Sequence, residues 1–295
     1  ASFGAVFLSF PGAAIVTGTQ TLINGRPETT IDVSDRGFQF GDGVFTTLRI
    51  QDGIPLFARE HLDRLDRDSQ ALKLPSPDRQ ILRDEIAQLA SGCPSGILKI
   101  QWTRGCGGRG YLPAEHLLPT RALILRSADP ISEKVPSPLR VRWAGIRLGI
   151  NPLLAGAKHM NRLEQILARL EWNDPEVDEA LVLDSEGFVV EGVSTNLFLV
   201  QGSSVVTPLL DRAGVRGVMR DLLIKIVHAS GYTLREERVR PDLVDSADAV
   251  VLTNSVRGIC PVASIEGRYF ESQGFATQMH ACYLDEVLRT RREWQ

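Results

Sequence analysis

The sequence predicts a mixed α/β (α+β) protein of two lobes, and three observations support this fold class. The chain has 295 residues, which is long for one hydrophobic core and sufficient for two domains. Strand-like and helix-like segments occur in both halves. Residues 127–138 contain Pro130, Pro136 and Pro138 among mixed charges, as is typical of a linker. We therefore expect a smaller N-terminal domain over residues 21–128, a linker over 129–138 and a larger C-terminal domain over 139–295.

The N-terminal lobe is expected to begin with a strand and a hairpin. Residues 44–50 alternate so that Val44, Thr46, Leu48 and Ile50 share one face. The other elements expected in this lobe are a turn at Asp52-Gly53, helices over 58–73 and 78–91 (with Ile81, Leu82, Ile86 and Leu89 on one apolar stripe), and strands over 97–104 and 121–126.

The C-terminal lobe is expected to mix strands and helices in the same way. The periodicity predicts strands over 139–145, 179–184, 195–201 and 249–254, and helices over about 160–172, 216–229 and 275–291.

Composition and charge exclude several classes of function. The net charge is −3 and no basic block is present, which argues against a nucleic-acid partner. The four cysteines show no CxxC spacing, and with five scattered histidines they make a poor metal site. The simplest interpretation is a reduced, cytoplasmic protein that holds no metal.

Residues 1–20 are interpreted as an extension of unknown role. They contain two short apolar runs interrupted by Pro11 and Gly12, and no Lys or Arg precedes Arg26. A signal peptide would have a basic start, and the apolar runs are too short to cross a bilayer. We therefore expect no membrane partner.

The lysines can be considered one by one, because only five of the 33 basic residues are lysine. Lys73 ends a predicted helix, Lys134 falls in the predicted linker, and Lys225 falls on the polar face of a helix. These three are expected to be solvated. Lys99 lies in the middle of a strand, where it could point into a cleft or into water.

Lys158 has a different setting. It follows the apolar, small-residue run 153–157 and precedes a helical pattern with Leu163, Ile166, Leu167 and Leu170. An amine placed there would be partly desolvated, which lowers its pKa and frees its lone pair for nucleophilic chemistry. The alternative is a lysine that merely leaves a strand.

Five motifs together resemble the fold-type IV enzymes that use pyridoxal 5'-phosphate (PLP). They are residues 34–45 (SDRGFQFGDGVF), 60–65 (EHLDRL), 191–198 (EGVSTNLF), 213–220 (AGVRGVMR) and 253–255 (TNS). The resemblance covers roughly residues 22–265. It implies a two-domain α/β fold with PLP in the cleft between a smaller N-terminal and a larger C-terminal lobe.

Within this family, two segments resemble the aminodeoxychorismate lyases. They are residues 104–111 (RGCGGRGY) and 156–165 (GAKHMNRLEQ). The resemblance implies conversion of 4-amino-4-deoxychorismate to 4-aminobenzoate and pyruvate, a step of folate biosynthesis. Two alternatives stay open: a D-amino-acid or branched-chain aminotransferase on the same fold, and a PLP-binding protein without catalysis.

The resemblance also implies the cofactor contacts. Lys158 would bind PLP covalently and act as the base, Glu191 would face the pyridine nitrogen, and Arg64 would pair with the phosphate. Further phosphate contacts would come from the backbone amides of Val218 and Met219 at a helix start and from Asn254 and Ser255.

Each of these residues also has an ordinary structural interpretation. Glu191 could close a surface hairpin beside Gly192, and Arg64 could be an exposed partner of Glu60. Val218 and Met219 could be core residues, and His61 and His159 are interpreted as structural.

Substrate contacts are expected from Phe45, Arg109 and Tyr111. In relatives, the loop that matches residues 104–111 reaches the active site of the neighbouring subunit. The resemblance therefore implies a homodimer in which Arg109 receives a substrate carboxylate. The alternative for this loop is a flexible surface segment.

Overall fold

A five-stranded antiparallel sheet forms the first half of the protein, in a computed structural model that describes residues 18–294. Its strand order is β1-β5-β4-β2-β3. The elements are β1 (Thr19–Ile23), α1 (Arg36–Phe40), β2 (Gly43–Gln51), β3 (Ile54–Pro55), α2 (Ala58–Ala71), α3 (Arg79–Ala90), β4 (Ser95–Thr103) and β5 (Thr120–Ser127).

The core of this half follows the predicted periodicity. The β2 side chains Val44, Thr46, Leu48 and Ile50 are all buried, as predicted. The α3 stripe differs at one position: Leu82, Ile86 and Leu89 are buried, whereas Ile81 is 41% exposed. Ile81 lies in the first turn of α3, where its backbone amide donates to the Asp78 side chain.

A nine-stranded mixed sheet forms the second half. The strand order is β11-β10-β9-β12-β13-β6-β7-β8, and β14 pairs with β13. The strands are β6 (Leu139–Leu148), β7 (Glu179–Asp184), β8 (Val189–Gly192), β9 (Asn196–Gln201), β10 (Ser204–Pro208), β11 (Thr233–Glu237), β12 (Ala249–Asn254), β13 (Gly258–Ile265) and β14 (Arg268–Tyr269). The helices are α4 (Leu163–Leu170), α5 (Val218–Ala229), α6 (Pro241–Asp245) and α7 (Gln273–Trp294).

The predicted α/β fold class is confirmed. The elements that were not predicted are β1, β8, β10, β11, β13, β14 and the short helices α1 and α6. The two sheets are separated by residues 128–138, and the predicted domain limits stay predictions. Residues 1–17 of the predicted extension lie outside the described residues. Strand β1 begins at Thr19, so the last two residues of that predicted extension belong to the first sheet.

One buried hydrophobic cluster contains residues of both halves. Ile54, Leu56 and Phe57, which end the β2–β3 hairpin and precede α2, pack in one buried cluster with residues of α5 and α7. The segment that connects the two sheets, residues 128–138, is also bonded to the first sheet. Arg49 and Ser95 both donate side-chain hydrogen bonds to the carbonyl oxygen of Asp129. These contacts fix the position of one sheet against the other.

Helix α4 turns its apolar side chains outward. Leu163, Ile166, Leu167 and Leu170 are each at least 53% exposed, and Ala168 is the buried residue of this helix. The amphipathic pattern read from the sequence is present, but its apolar face does not contact the core of its own chain.

None of the helices within residues 18–294 combines the length and the apolar content that crossing a bilayer requires.

Candidate active site

A cavity of about 310 Å³ lies between the two sheets, where β2 faces β8, β9, β12 and the start of α5. Seven residues predicted from the sequence line it: Phe45, Arg64, Lys158, Glu191, Met219, Asn254 and Ser255. The structure thus brings together side chains that are up to 210 positions apart, counted from Phe45 to Ser255.

Backbone hydrogen bonds from both sides fix the position of Lys158. The Phe45 amide donates to the Lys158 carbonyl oxygen over 3.0 Å, and the Met160 amide donates to the Gly43 carbonyl oxygen over 2.8 Å. The Lys158 amide donates to Oδ2 of the buried Asp68 over 2.9 Å. The segment around Lys158 therefore pairs with β2 of the first sheet while belonging to the second half of the chain.

The amine of Lys158 is desolvated. Burial lowers its pKa, and the positive charge of Arg64 lowers it further, while the charge of Glu191 opposes both effects. The amine lies 4.7 Å from the centroid of the Phe45 ring. A larger fraction of neutral amine at a given pH is what a nucleophile or a base needs.

The other lysines do not compete for this position. Lys73, Lys134 and Lys225 are exposed, as predicted. Lys99 is half-buried, and its amine lies 4.8 Å from the centroid of the same Phe45 ring. Its side chain is not among those that line the cavity, so the choice between cleft and water stays open for Lys99.

Glu191 is buried, which contradicts its interpretation as a surface hairpin residue. Its Oε2 accepts hydrogen bonds from the Val215 amide over 2.8 Å and from Asn196 Nδ2 over 3.4 Å. Burial raises its pKa, and the hydrogen bond from Val215 opposes that shift. Asn196 can approach because Gly217 has no side chain: a Cβ there would lie 2.2 Å from Asn196 Oδ1.

Arg64 is also buried, so it is not the exposed partner of Glu60. Glu60 accepts a hydrogen bond from Arg59 instead. Arg64 Nη2 donates to Thr46 Oγ1, while its Nε has no hydrogen-bond partner among the described residues. Burial lowers the pKa of Arg64 to about 10.

His61 is buried and contacts the same threonine hydroxyl group as Arg64, which agrees with its predicted structural role. Its Nδ1 lies 2.7 Å from Thr46 Oγ1, the same oxygen that accepts from Arg64. Burial lowers the pKa of His61 well below its usual range, so the ring is neutral. In a neutral ring, Nδ1 can accept a hydrogen bond from the Thr46 hydroxyl group.

The start of α5 provides backbone donors. No side chain caps this helix at Gly217, and Gly217 and Met219 line the cavity. The Val218 side chain packs in the core, as its structural interpretation stated. A buried guanidinium with an unpartnered Nε and an uncapped helix start together suit a phosphate dianion.

Asn254 and Ser255 close the cavity on the β12 side. Asn254 Oδ1 accepts hydrogen bonds from the amides of Val256 and Arg257, and Asn254 Nδ2 donates to the Ser194 carbonyl oxygen. Asn254 therefore shapes the turn that presents Ser255 to the cavity.

Arg109 and Tyr111 are not brought to the cavity of their own chain. Both side chains are exposed, Tyr111 by 88%, and neither lines the cavity. Whether they bind substrate stays a prediction.

Four residues that contribute to the site were missed: Thr46, Asp68, Arg162 and Asn196. Arg162 lines the cavity and is oriented by a hydrogen bond from its Nε to the His159 carbonyl oxygen. Asp68 offered a usable signal, since it falls on the same helical stripe as Leu65, where a charged residue is unusual.

Comparisons with known proteins agree with this geometry. Residues 43–265 match the family model for amino-transferase class IV. The chain belongs to this family.

Among class IV relatives, an aminodeoxychorismate lyase of Vibrio harveyi is 35% identical over 82% of this chain and 90% of that protein. A solved 4-amino-4-deoxychorismate lyase of Pseudomonas aeruginosa is 37% identical, with a TM-score of 0.84 over 90% of this chain and 99% of that one. A branched-chain amino acid aminotransferase of Thermoproteus uzoniensis, solved with norvaline, is 22% identical and shares the fold, with a TM-score of 0.80 over 94% and 97%. The family is PLP-dependent, and this chain is a PLP-dependent enzyme.

Proposed function

We propose that this class IV enzyme is a lyase that converts 4-amino-4-deoxychorismate to 4-aminobenzoate and pyruvate. One observation carries the proposal: the cavity joins a desolvated lysine amine, a buried carboxylate and a buried arginine in a chain at least 35% identical to two lyases of this name. Segment 156–165, which resembles these lyases, contributes Lys158, Arg162 and Gln165 to the cavity. It meets the other such segment, 104–111, at a second cavity.

The residues present fit PLP. Lys158 would bind it covalently, and Glu191 would hold the pyridine nitrogen. Arg64, the first amides of α5 and Ser255 would hold the phosphate. When bound, PLP supplies an electron sink that makes the carbon bearing the substrate amine acidic.

Lys158 then has one proton to move. Its amine takes the proton from the amine-bearing ring carbon, and the carbon–oxygen bond to the enolpyruvyl ether on the neighbouring carbon breaks. The ring becomes aromatic, and the enol that leaves takes up a proton to become pyruvate. The atoms of the substrate are all found in the two products, so no oxidant, water or second substrate is needed.

The residues around Lys158 favour this role. Burial and the charge of Arg64 lower the pKa of Lys158 and so increase the neutral, basic fraction of its amine. The Lys158 backbone amide donates to Asp68, which holds this segment in register. An ionised Glu191 would place its negative charge in a buried site, where it would support a positive pyridinium more strongly than in water.

An aminotransferase on the same fold is the rival function, and a PLP-binding protein without catalysis is the second. An aminotransferase must take an amino group from a donor and return it to a keto acid. Adding a keto acid to the pyridoxamine form therefore separates it from a lyase. Release of any product excludes the non-catalytic rival.

A homodimer is part of the proposal. The apolar face of α4 is exposed, and α4 follows directly on Arg162, which lines the cavity. The exposed Phe40 and Tyr111 line a second cavity near Asn161 together with the half-buried Leu154, so apolar groups of three segments lie together. A second copy of the chain on this surface would cover them and would bring a loop 104–111 to each cavity.

A cytoplasmic location is also proposed. All four cysteines are free, two of them buried and one exposed at Cys106. Free thiols are the usual state in reducing compartments.

The test of the proposed function is pyruvate release. Purified protein loaded with PLP and given 4-amino-4-deoxychorismate should form pyruvate and 4-aminobenzoate in equal amounts without a keto acid. Transfer of the amino group to an added keto acid, without pyruvate formation, would establish the aminotransferase instead.

A further inference from the structure

The glycine-rich loop, residues 104–111, is held in place by its own chain. Arg36 of α1 is buried beneath it, with 4% of its surface exposed. Arg36 Nη1 donates to the carbonyl oxygens of Gly110 over 3.0 Å and Gly107 over 3.4 Å, and its Nη2 donates to that of Tyr111 over 3.0 Å. One guanidinium thus fixes three carbonyl groups of the loop.

The charge of Arg36 is balanced by Asp42. Arg36 Nε donates to Asp42 Oδ2 over 2.9 Å, and Arg104 Nε donates to the same oxygen over 2.7 Å. Arg104 also donates to the Leu72 and Lys73 carbonyl oxygens, which ties the beginning of the loop to the end of α2. We refer to the pair Arg36 and Asp42 as the loop latch.

Aromatic contacts extend the same arrangement. The guanidinium carbon of Arg36 lies 4.9 Å from the centroid of the Phe40 ring, and Phe40 contacts Tyr111 edge to face with centroids 5.7 Å apart. The ring of Tyr111 therefore has a defined place although it is exposed.

The glycines of the loop are required by its shape rather than by flexibility. Gly105 and Gly108 have positive φ angles of 86° and 95°. A Cβ at Gly105 would lie 1.9 Å from the Leu118 carbonyl oxygen, and one at Gly108 would lie 2.5 Å from that of Leu112. Side chains cannot fit there, so these residues serve a close-packed turn. Contacts within its own chain therefore order this loop, in contrast to its interpretation as a flexible surface segment.

We propose that Arg36 is a positioning residue for substrate binding, which holds the loop in the single conformation that presents Arg109 and Tyr111 outward. The latch binds the carbonyl groups on the inner side of the loop, whereas the Arg109 and Tyr111 side chains point to solvent. This inference rests on the proposed function for the identity of the ligand, a carboxylate-bearing substrate. It holds whether the loop serves its own chain or a partner.

The loop latch is expected to increase the fraction of molecules whose loop has the conformation that binds substrate. A loop that samples many conformations binds substrate only in the fraction of molecules with the correct one, and the apparent dissociation constant rises by the inverse of that fraction. If release of the latch lowers this fraction to about a tenth, the KM rises about tenfold. The turnover number at saturation should change little, because Arg36 does not line the cavity around Lys158.

The experiment compares three variants in the PLP-loaded enzyme: Arg36→Met, Arg36→Lys and Arg79→Met as a matched control. Arg79 pairs with Asp63 and Asp66, away from the loop. Lysine at position 36 keeps a charge for Asp42, which protects folding, but it lacks the planar fork that serves several carbonyl groups. The readouts are amide hydrogen exchange of residues 105–112 and the separate values of KM and kcat.

We expect faster exchange in the loop and a KM about tenfold higher for Arg36→Met, a smaller rise for Arg36→Lys, and neither effect for Arg79→Met. The latch has no ordering role if amide exchange of the loop is unchanged in a folded Arg36→Met variant. If that variant does not fold, unchanged exchange in Arg36→Lys leads to the same conclusion. Faster exchange with an unchanged KM would overturn the link between the latch and substrate. Hydrogen exchange needs no turnover, so absence of lyase activity in the wild type would count against the proposed function and not against the latch.

Discussion

The cavity around Lys158 and the glycine-rich loop at residues 104–111 are built in opposite ways. The cavity is buried and draws on both sheets, and its charges are largely desolvated. The loop is a local structure fixed by the latch, and its side chains face solvent. The cavity collects within one chain the residues that we propose for PLP binding, whereas Arg109 and Tyr111 of the loop do not line it. In the proposed homodimer, one chain would bind the cofactor by itself and the loop of the second chain would complete the substrate site.

The largest effect is expected at the centre of the cavity. Lys158→Ala removes both the covalent attachment point and the base, so turnover should fall by at least about ten-thousandfold in a folded protein. Borohydride treatment of the wild type should fix PLP on the peptide that contains Lys158. Lys99→Ala, which removes the other amine near Phe45, should leave that attachment in place. Fixation on Lys99 would reverse the assignment of the two lysines.

Glu191→Gln should have the next largest effect. The amide keeps the size of the side chain but cannot balance a pyridinium by charge, so turnover should fall by at least about a hundredfold while PLP stays bound. Absorbance of the bound cofactor and steady-state kinetics measure the two properties separately. Near-normal turnover would remove Glu191 from its role at the ring nitrogen.

Mixing of subunits tests the contrast between the two regions directly. Lys158→Ala and Arg109→Ala should each be inactive or weakly active alone. After chains are exchanged, about half of the dimers are mixed and each has one intact site, so about a quarter of wild-type activity should return. The exchange itself can be followed with differently tagged chains. Proven exchange without recovery would place the loop at the site of its own chain.

The smallest effect is the pH dependence of labelling. Burial lowers the pKa of Lys158, so in the protein without PLP its amine loses its proton at a lower pH than an ordinary lysine, whose pKa is about 10.4. Reductive methylation of Lys158 should therefore reach half of its maximal rate at lower pH than methylation of a lysine in a short unstructured peptide. The shape of each profile is compared, since burial slows access to Lys158 at every pH. Superimposable profiles would contradict the assigned shift.

The sequence predicted the residues of the cavity better than the contacts that hold them. Lys158, Glu191 and Arg64 each stand in a recognisable motif, and the structure places all three around one cavity. Asp68 was marked only as a charge on an apolar helical stripe, because nothing in a one-dimensional pattern connects its carboxylate with an amide 90 positions away. The loop latch was missed for a related reason. Arg36 lies inside the motif of residues 34–45, but its hydrogen-bond partners are carbonyl groups 71 to 75 positions further on.

Exposure was the other property that the sequence did not reveal. The apolar stripe of α4 has the spacing of a core-facing helix, yet it faces outward. Periodicity reports that a helix has two different faces, and only the arrangement of neighbouring elements decides which one meets the core.

The pairing of β2 with the segment around Lys158 has a consequence for the folding of the chain. The contacts that form the cavity join residues from Phe45 to Ser255, so they have a high contact order, and closing such long loops is slow. Each half of the protein can begin its own sheet early, but a chain that has emerged only as far as residue 200 has no start of α5 and no Ser255. Cofactor capture is therefore expected to be a late event of biogenesis, and a mutation that slows docking of the two sheets should delay PLP loading without changing the final affinity.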